Sequence, residues 1–159
     1  MKEIKLTLGK VAVVDDDLFD YLNKWKWTAK KHRNTFYARR NIKLEGGKQK
    51  DIKMHRLIMG VTDPSKIIDH RDNNGLNNQR SNLRLCTLSQ NQHNRQSNIG
   101  ASKFKGVWKS KNRWRAEIVS DGTKKRLGSY IKEEEAAKAY NEAALKYHGE
   151  FARLNQIPA

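Results

Sequence analysis

The run RDNNGLNNQRSN, residues 71–82, lies near the middle of the chain and is too polar to be anything but a loop. Residues 67–70, IIDH, predict a short strand before it, and residues 83–87, LRLCT, alternate like a second strand after it. Ser89 can cap a helix that follows. Strand, long loop, strand and helix therefore succeed one another in a stretch that has very little core of its own.

The residues before this stretch show a clearer periodicity of apolar side chains. Residues 4–14, IKLTLGKVAVV, predict strand, turn and strand, and either Asp15 or Asp16 can cap a short helix. Residues 35–53 predict a hairpin with a Gly-Gly turn, and a short helix is expected at residues 55–59.

The last third of the chain also has a regular pattern. Three alternating segments, KGVWKS, RWRAEIVS and KRLGSYI, are separated by polar turns and followed by a strong helix, EEEAAKAYNEAALKYHG. The acidic start and basic end of this helix match its dipole, and Gly149 is a suitable stop. Residues 99–102, IGAS, are small and weakly polar, which predicts a linker before this part.

The expected fold class is therefore α+β. We expect a small α/β scaffold over residues 1–53, a strand–strand–helix unit over residues 54–98, and a three-stranded antiparallel sheet packed on one helix over residues 102–157.

The charge of the chain predicts its kind of partner. Lys and Arg number 33 against 17 Asp and Glu, a net charge of +16, so a polyanion is expected. The single cysteine, Cys86, excludes an internal disulfide framework and a cysteine-based zinc site. The sequence has no apolar run long enough to span a membrane and no secretion signal, so we expect a cytoplasmic protein with no membrane partner.

The central stretch has residue types suited to phosphodiester hydrolysis. Asp69 and Asn91 offer the oxygen ligands that a hard divalent cation prefers, and His70 is placed to accept a proton from water. Asn82 could hydrogen-bond across the loop. Adjacent strand residues point to opposite faces, so Asp69 and His70 share a site only if the strand bends or ends between them. The alternative is that these Asn and Asp residues only form turns and caps.

Four pieces of sequence in a fixed order resemble the HNH endonuclease family, in its phage and intron-encoded homing branch. They are MHRLIMG (54–60), IIDH (67–70), NNGLNNQRSNLRL (73–85) and SQNQHNR (89–95). The resemblance implies that residues 54–98 form a ββα-metal nuclease unit. It also implies one divalent metal ion as cofactor, Mg²⁺ with Mn²⁺ as a possibility.

The resemblance also implies a role for each matching residue. Asp69 matches a metal ligand, His70 the general base, Asn82 a structural asparagine and Asn91 the metal ligand on the helix. His93, two residues further on, is the alternative for the last position.

The three strands of the last third have many basic and aromatic side chains. A helix on one face of the sheet would leave the other face for DNA, and a sheet ribbon can enter the major groove. The alternative is a solvated basic face without a partner. The expected DNA-binding residues are Lys103, Lys105, Trp108, Lys109, Arg113, Arg115, Lys124 and Arg126.

This part resembles the AP2 DNA-binding domain. The matching pieces are SKFKGV (102–107), WRAEI (114–118), LGSY (127–130), EEAAKAYNEAALKYHG (134–149) and FARLN (151–155). The resemblance implies that the sheet binds duplex DNA with the helix packed behind it. Trp108, Val119 and Lys105 stand where the plant form has arginines, so its target sequence cannot be carried over. Residues expected in the core are Trp114, Ile118, Leu127, Tyr140 and Leu154.

The expected function is that of a metal-dependent DNA endonuclease of the homing type, which nicks or cuts both strands. The expected partner is double-stranded DNA, with no small-molecule substrate, and one site per chain favours a monomer. A phage-encoded protein of this kind would act in the host cytoplasm or nucleoid. The alternative is a non-catalytic, AP2-type DNA-binding regulator.

Overall fold

The computed structural model describes residues 1–95 and 102–158, and residues 99–101 of the predicted linker lie outside them. The contacts divide the chain into two compact units, Met1–Leu88 and Ser89–Ala159. Within the described residues, no helix is both long enough and apolar enough to cross a membrane.

The first unit contains three antiparallel sheets and two short helices. Strands β1 and β2 pair with each other, β3, β4 and β5 form a three-stranded sheet in that order, and β6 pairs with β7. The elements are β1 (Lys2–Lys5), β2 (Val11–Val14), α1 (Asp16–Leu22), β3 (Thr28–His32), β4 (Thr35–Lys43), β5 (Gln49–Lys53), α2 (Met54–Ile58), β6 (Ile67–His70) and β7 (Leu83–Cys86).

The strands predicted in residues 4–14, the β4–β5 hairpin and the two strands around loop 71–82 are all confirmed. At the β4–β5 turn, Gly46 and Gly47 have φ of 73° and 76°, a region that favours glycine. Helix α2 spans Met54–Ile58, one residue earlier than expected.

One apolar core joins the parts of the first unit. It consists of Ile4, Ala12, Val14, Leu22, Trp27, Ala38, Met54 and Leu76. Met54 comes from α2, and Leu76 is the apolar residue of the polar loop. A boundary between residues 53 and 54 would run through this core, so the scaffold and the strand–strand–helix unit bury their apolar side chains together.

The polar loop 71–82 is bonded to the N-terminal strands and helix. The Val13 amide donates to the Leu76 carbonyl at 2.9 Å, and the Asn78 amide donates to the Val13 carbonyl at 2.7 Å. Asp15 is the N-cap of α1, but its side chain makes no capping bond and instead accepts the Arg80 amide at 2.9 Å. The acidic start of α1 therefore helps to hold the loop.

The second unit is a three-stranded antiparallel sheet covered by one helix, as predicted. The strand order is β10-β9-β8. The elements are α3 (Leu88–Asn94), which begins one residue before the unit, β8 (Val107–Ser110), β9 (Arg113–Ser120), β10 (Thr123–Tyr130) and α4 (Glu133–His148). Helix α3 includes Ser89, so Ser89 is not its N-cap, and the Ser89 hydroxyl lies 3.3 Å from His93 Nε2.

Small residues let α4 pack closely on this sheet. Ala116 and Ile118 of β9 are buried together with Ala136, Ala137 and Tyr140 of α4. Gly106 has φ of 72°, and a Cβ added there would lie 2.1 Å from the Tyr140 ring, so this position requires glycine. Of the residues predicted in the core, Leu154 is misplaced, because it is 42% exposed.

Candidate functional site

Strands β6 and β7 place Asp69 and His70 side by side on a regular ladder. Asp69 is opposite Arg84 and His70 is opposite Leu83. Because the ladder continues through both residues, their side chains leave β6 on opposite faces, and β6 has no bend between them. Both side chains are buried, with 5% and 4% exposure.

The His70 ring lies in a cluster with Tyr37 of β4 and His55 of α2. Ring centroids are 5.6 Å apart for Tyr37 and His70, 5.1 Å for His55 and His70, and 5.4 Å for Tyr37 and His55. The His55 and His70 rings are nearly perpendicular, at 86°. Edge-to-face contacts of this kind fix ring orientation, so two other elements of the first unit orient the His70 imidazole.

Burial keeps both histidines of this cluster neutral at pH 7. It lowers the pKa of His70, while a hydrogen bond with Asn78 and the nearby carboxylates Asp72 and Asp69 offset part of the effect. Burial, reinforced by His70 and neighbouring cations, lowers the pKa of His55 to about 3. A neutral imidazole can accept a proton, which is what a general base must do.

Asn82 closes the loop that follows His70. Its side-chain oxygen accepts the Asp72 amide at 3.1 Å, and its side-chain nitrogen donates to Asp72 Oδ1 at 3.0 Å and to the Asn77 carbonyl at 2.8 Å. The Arg71 amide also donates to the Asn82 carbonyl, at 2.9 Å. These bonds tie the first residues of loop 71–82 to its last residue.

Gly75 brings the same loop against β4. A Cβ at this position would lie 2.5 Å from the Phe36 carbonyl oxygen and 2.7 Å from the Tyr37 ring. The Gly75 amide donates to the Thr35 hydroxyl at 2.9 Å. The sequence analysis missed Tyr37 and Gly75, and the glycine within the Asn-rich motif was the signal for a close backbone contact.

Asp69 forms a buried ion pair with Arg84. Arg84 Nε and Nη2 donate to Asp69 Oδ2 at 2.9 and 2.7 Å, and the two residues are 7% and 5% exposed. Sequence reasoning also missed Arg84, although it lies within the run NNGLNNQRSNLRL, in a strand that was expected to alternate. The arginine fixes the carboxylate of the candidate metal ligand in one orientation.

The Asp69 carboxylate is the kind of oxygen ligand that a hard cation prefers. Within residues 1–95 and 102–158, the structure has no group of three or more His, Cys, Asp or Glu side chains that could hold a metal. Mg²⁺ commonly uses one or two carboxylates together with water and substrate phosphates, so a site with one carboxylate of the first unit, Asp69, is compatible with it.

Helix α3 carries Asn91 and His93, the two candidates for the second metal ligand. The His93 ring stacks on His148 of α4, with centroids 3.7 Å apart and an angle of 8° between planes. This stacking gives His93 a packing role and favours Asn91 of the two candidates.

The outer face of the second sheet brings together five of the predicted DNA-binding residues. Trp114, Ala116 and Ile118 of β9 point to the α4 side, so Arg113 and Arg115 point away from it. Trp108 is opposite Arg115, Arg126 is opposite Glu117, and Lys124 is opposite Val119. The outer face therefore contains Trp108, Arg113, Arg115, Lys124 and Arg126.

The other three predicted residues do not lie on that face. The Lys105 ammonium donates to the carbonyls of His93 and Arg95, and burial lowers the pKa of Lys105 to about 8. Lys109 is opposite Trp114, and its ammonium lies 5.7 Å from that ring, so it belongs to the helix side. Lys103 precedes β8, with its ammonium 5.1 Å from the Phe104 ring.

The model of the HNH endonuclease family matches residues 53–93, which contain α2, β6, β7 and most of α3. A protein of Acanthamoeba polyphaga mimivirus, named as an uncharacterized HNH endonuclease, is 36% identical over 155 residues, 94% of this chain and 76% of the relative. This chain belongs to the HNH endonuclease family. It is therefore a nuclease with DNA as the implied substrate, in a family that generally uses a divalent metal ion.

A second relative matches a shorter part of the chain. It is an AP2/ERF and B3 domain-containing protein of Oryza sativa subsp. japonica, 42% identical over 60 residues. The match covers 37% of this chain and 19% of the rice protein.

Proposed function

We propose that this protein is a metal-dependent DNA endonuclease of the homing type, with His70 as its general base. The observation that carries the proposal is the neutral His70 imidazole, oriented by Tyr37 and His55 at the end of β6. In a host cell it would act in the cytoplasm or on the nucleoid.

In the proposed reaction His70 accepts a proton from the water that attacks phosphorus, and the bond from phosphorus to the 3′ oxygen breaks. The products are a 5′ phosphate and a 3′ oxyanion, which takes a proton from solvent to become the 3′ hydroxyl. Asn82 keeps loop 71–82 closed beside the base, and Arg84 holds the Asp69 carboxylate. Asp69 leaves β6 on the face opposite His70, so its assignment as a metal ligand, like that of Asn91, is proposed on its motif alone. A divalent ion there, Mg²⁺ or alternatively Mn²⁺, would stabilise negative charge on the phosphate.

The second part of the proposal is an AP2-type DNA-binding domain over residues 102–157, beside a nuclease unit over residues 54–98 that shares one apolar core with the scaffold over residues 1–53. Its outer sheet face has four cations and Trp108, a combination that suits phosphate contacts and base-edge contacts in a groove. The short match to the AP2/ERF and B3 protein supports this assignment.

Plasmid cleavage tests the nuclease proposal. Supercoiled plasmid is incubated with the full chain in Mg²⁺, in Mn²⁺ and in EDTA, and nicked and linear products are resolved on a gel. A monomer with one site per chain should give the nicked circle first and linear DNA later, with no product in EDTA. Light scattering at the same concentration should give a monomer. A chain that leaves the plasmid intact with both metals contradicts the proposal.

The burial of the site favours one alternative, a non-catalytic DNA-binding regulator. His70 is only 4% exposed, and Asp69 is already paired with Arg84, which is how purely structural groups are placed. The same plasmid experiment separates the two, because a regulator retards duplex DNA on a gel without cutting it.

A further inference from the structure

The sheet β3-β4-β5 of the first unit has one face that continues from the histidine cluster. Tyr37 is opposite Lys30, and Arg39, two residues further along β4, is opposite both Thr28 and Lys53. Alternate residues of a strand share a face and lie about 7 Å apart. Because the Tyr37 ring contacts the His70 ring, Arg39 and Lys53 lie on the next row of the face that meets His70.

Arg39 and Lys53 form a cross-strand pair of like charge, an arrangement that destabilises a sheet unless an anion compensates. Both side chains are half-buried. Asp51 contacts Arg39 at 3.2 Å and is itself 40% exposed. Burial lowers the pKa of Lys53, and Arg39 and Arg56 lower it further while Asp51 opposes them. The face therefore keeps a positive potential beside the site.

The Lys53 member of the pair is also open to a ligand. Lys53 and Arg56 line a groove of about 400 Å³ together with Asp51, Leu57 and Thr62. A guanidinium offers a planar fork of donors that matches the oxygens of a phosphate, and an ammonium adds a compact charge.

We propose that Arg39 and Lys53 bind a backbone phosphate of double-stranded DNA next to the phosphate attacked at His70. The inference rests on the proposed nuclease function for the position of that phosphate. Arg39 and Lys53 would thus hold the strand in register with the base.

The first test is the salt dependence of duplex binding, which needs no cleavage. Anisotropy measurements with the full chain compare wild type, Arg39→Met, Lys53→Met and Lys31→Met. Each neutralised phosphate contributes about 0.9 to the log–log salt slope, so Arg39→Met and Lys53→Met should each reduce the slope by up to that amount. Lys31 is an exposed lysine on the other face of β3, opposite Phe36, and serves as the matched control.

The proposal would be overturned if the salt slope of duplex binding were unchanged in both Arg39→Met and Lys53→Met. It would also be overturned if Lys31→Met reduced that slope as much as they do. Thermal unfolding checks that each variant is folded. Methionine is the replacement because it keeps most of the apolar stem of the arginine or lysine side chain. If the plasmid stays intact while the slopes fall as expected, the nuclease proposal fails and the phosphate contact stands.

The second test locates the phosphate. Single methylphosphonates are placed at each position around a cleavage site mapped on the plasmid, and single-turnover cleavage is measured. A methylphosphonate at one position beside the cut should slow cleavage by the wild type about tenfold, the usual loss for a charged hydrogen bond. The same methylphosphonate should not slow cleavage by Arg39→Met any further. Additive effects at every position beside the cut would overturn the proposed place of the contact.

Discussion

The two units treat their polar side chains in opposite ways. The first unit buries Asp69, His70, Asn82 and Arg84; Arg84 is hydrogen-bonded to Asp69, and Asn82 is hydrogen-bonded to Asp72. The second unit leaves Arg113, Arg115, Lys124 and Arg126 exposed on an open face. A reacting group must be held in one orientation in a dry environment, whereas phosphate contacts tolerate flexible side chains in water.

This difference predicts how each unit responds to mutation. Changes at the buried cluster should affect folding and chemistry together, because unpaired buried polar groups cost several kcal/mol in low-dielectric surroundings. Changes on the open sheet should affect DNA affinity with little effect on folding, because exposed ion pairs such as that between Lys124 and Glu117 contribute little to stability.

The largest expected effect is that of His70→Ala on cleavage. Loss of a general base costs about 10²–10⁴ in rate, while duplex affinity should stay nearly unchanged because a neutral imidazole contributes little to phosphate binding. Plasmid cleavage and gel retardation measure the two quantities, and urea unfolding checks that the variant is folded. A folded variant that cuts at more than about a tenth of the wild-type rate would exclude His70 as the base.

Breaking the buried ion pair should have the next largest effect. Asp69→Ala leaves the Arg84 guanidinium buried without this carboxylate, which should lower the free energy of unfolding by about 3–5 kcal/mol. Urea unfolding of Asp69→Ala, Arg84→Met and the double variant measures it. The double variant should be more stable than Asp69→Ala, and simple additivity of the two losses would contradict the pairing.

The stability of the first unit should fall as the solution becomes acidic. The pKa of His55 is lowered from 6.5 to about 3, so the unfolded chain takes up this proton before the native one does. The stability is therefore fully present above pH 6.5 and is lost progressively down to about pH 3, with a loss of about 3 kcal/mol at pH 4. Urea unfolding at several pH values measures this dependence. His55→Phe, which cannot titrate, should show a smaller loss, and an equally steep curve would exclude His55 as its source.

The smallest expected effect compares the two faces of the second sheet. Arg115→Ala removes an outward cation and should weaken duplex binding about fivefold. The log–log dependence of affinity on salt should fall in slope by about 1, the loss of one phosphate contact. Lys109→Ala removes a cation on the α4 side and should change affinity less than about twofold. Fluorescence anisotropy at several salt concentrations measures both. Equal losses would mean that the face assignment does not decide which cations meet DNA.

The order of the elements was predictable because alternation and helix signals act over a few residues. The sequence also indicated loop 71–82 and a bridging side chain at Asn82, because asparagine bonds to nearby backbone. The partners of His70 were not predictable, since Tyr37 meets it only through folding of distant strands. The place of Lys109 on the α4 side was not predictable, because one step along a strand changes the face. The place of Lys105 was not predictable either, because nothing local indicates that its ammonium bonds to the His93 and Arg95 carbonyls.

The bond between the Arg80 amide and Asp15 joins positions 65 residues apart in the chain. On the ribosome, β1, β2 and α1 are synthesised well before the loop that completes their core with Leu76. Contacts of such long sequence separation form slowly, because the intervening chain must be ordered first. We therefore expect a newly made chain to complete the core around His70 late, only after the segment through β7 has left the exit tunnel.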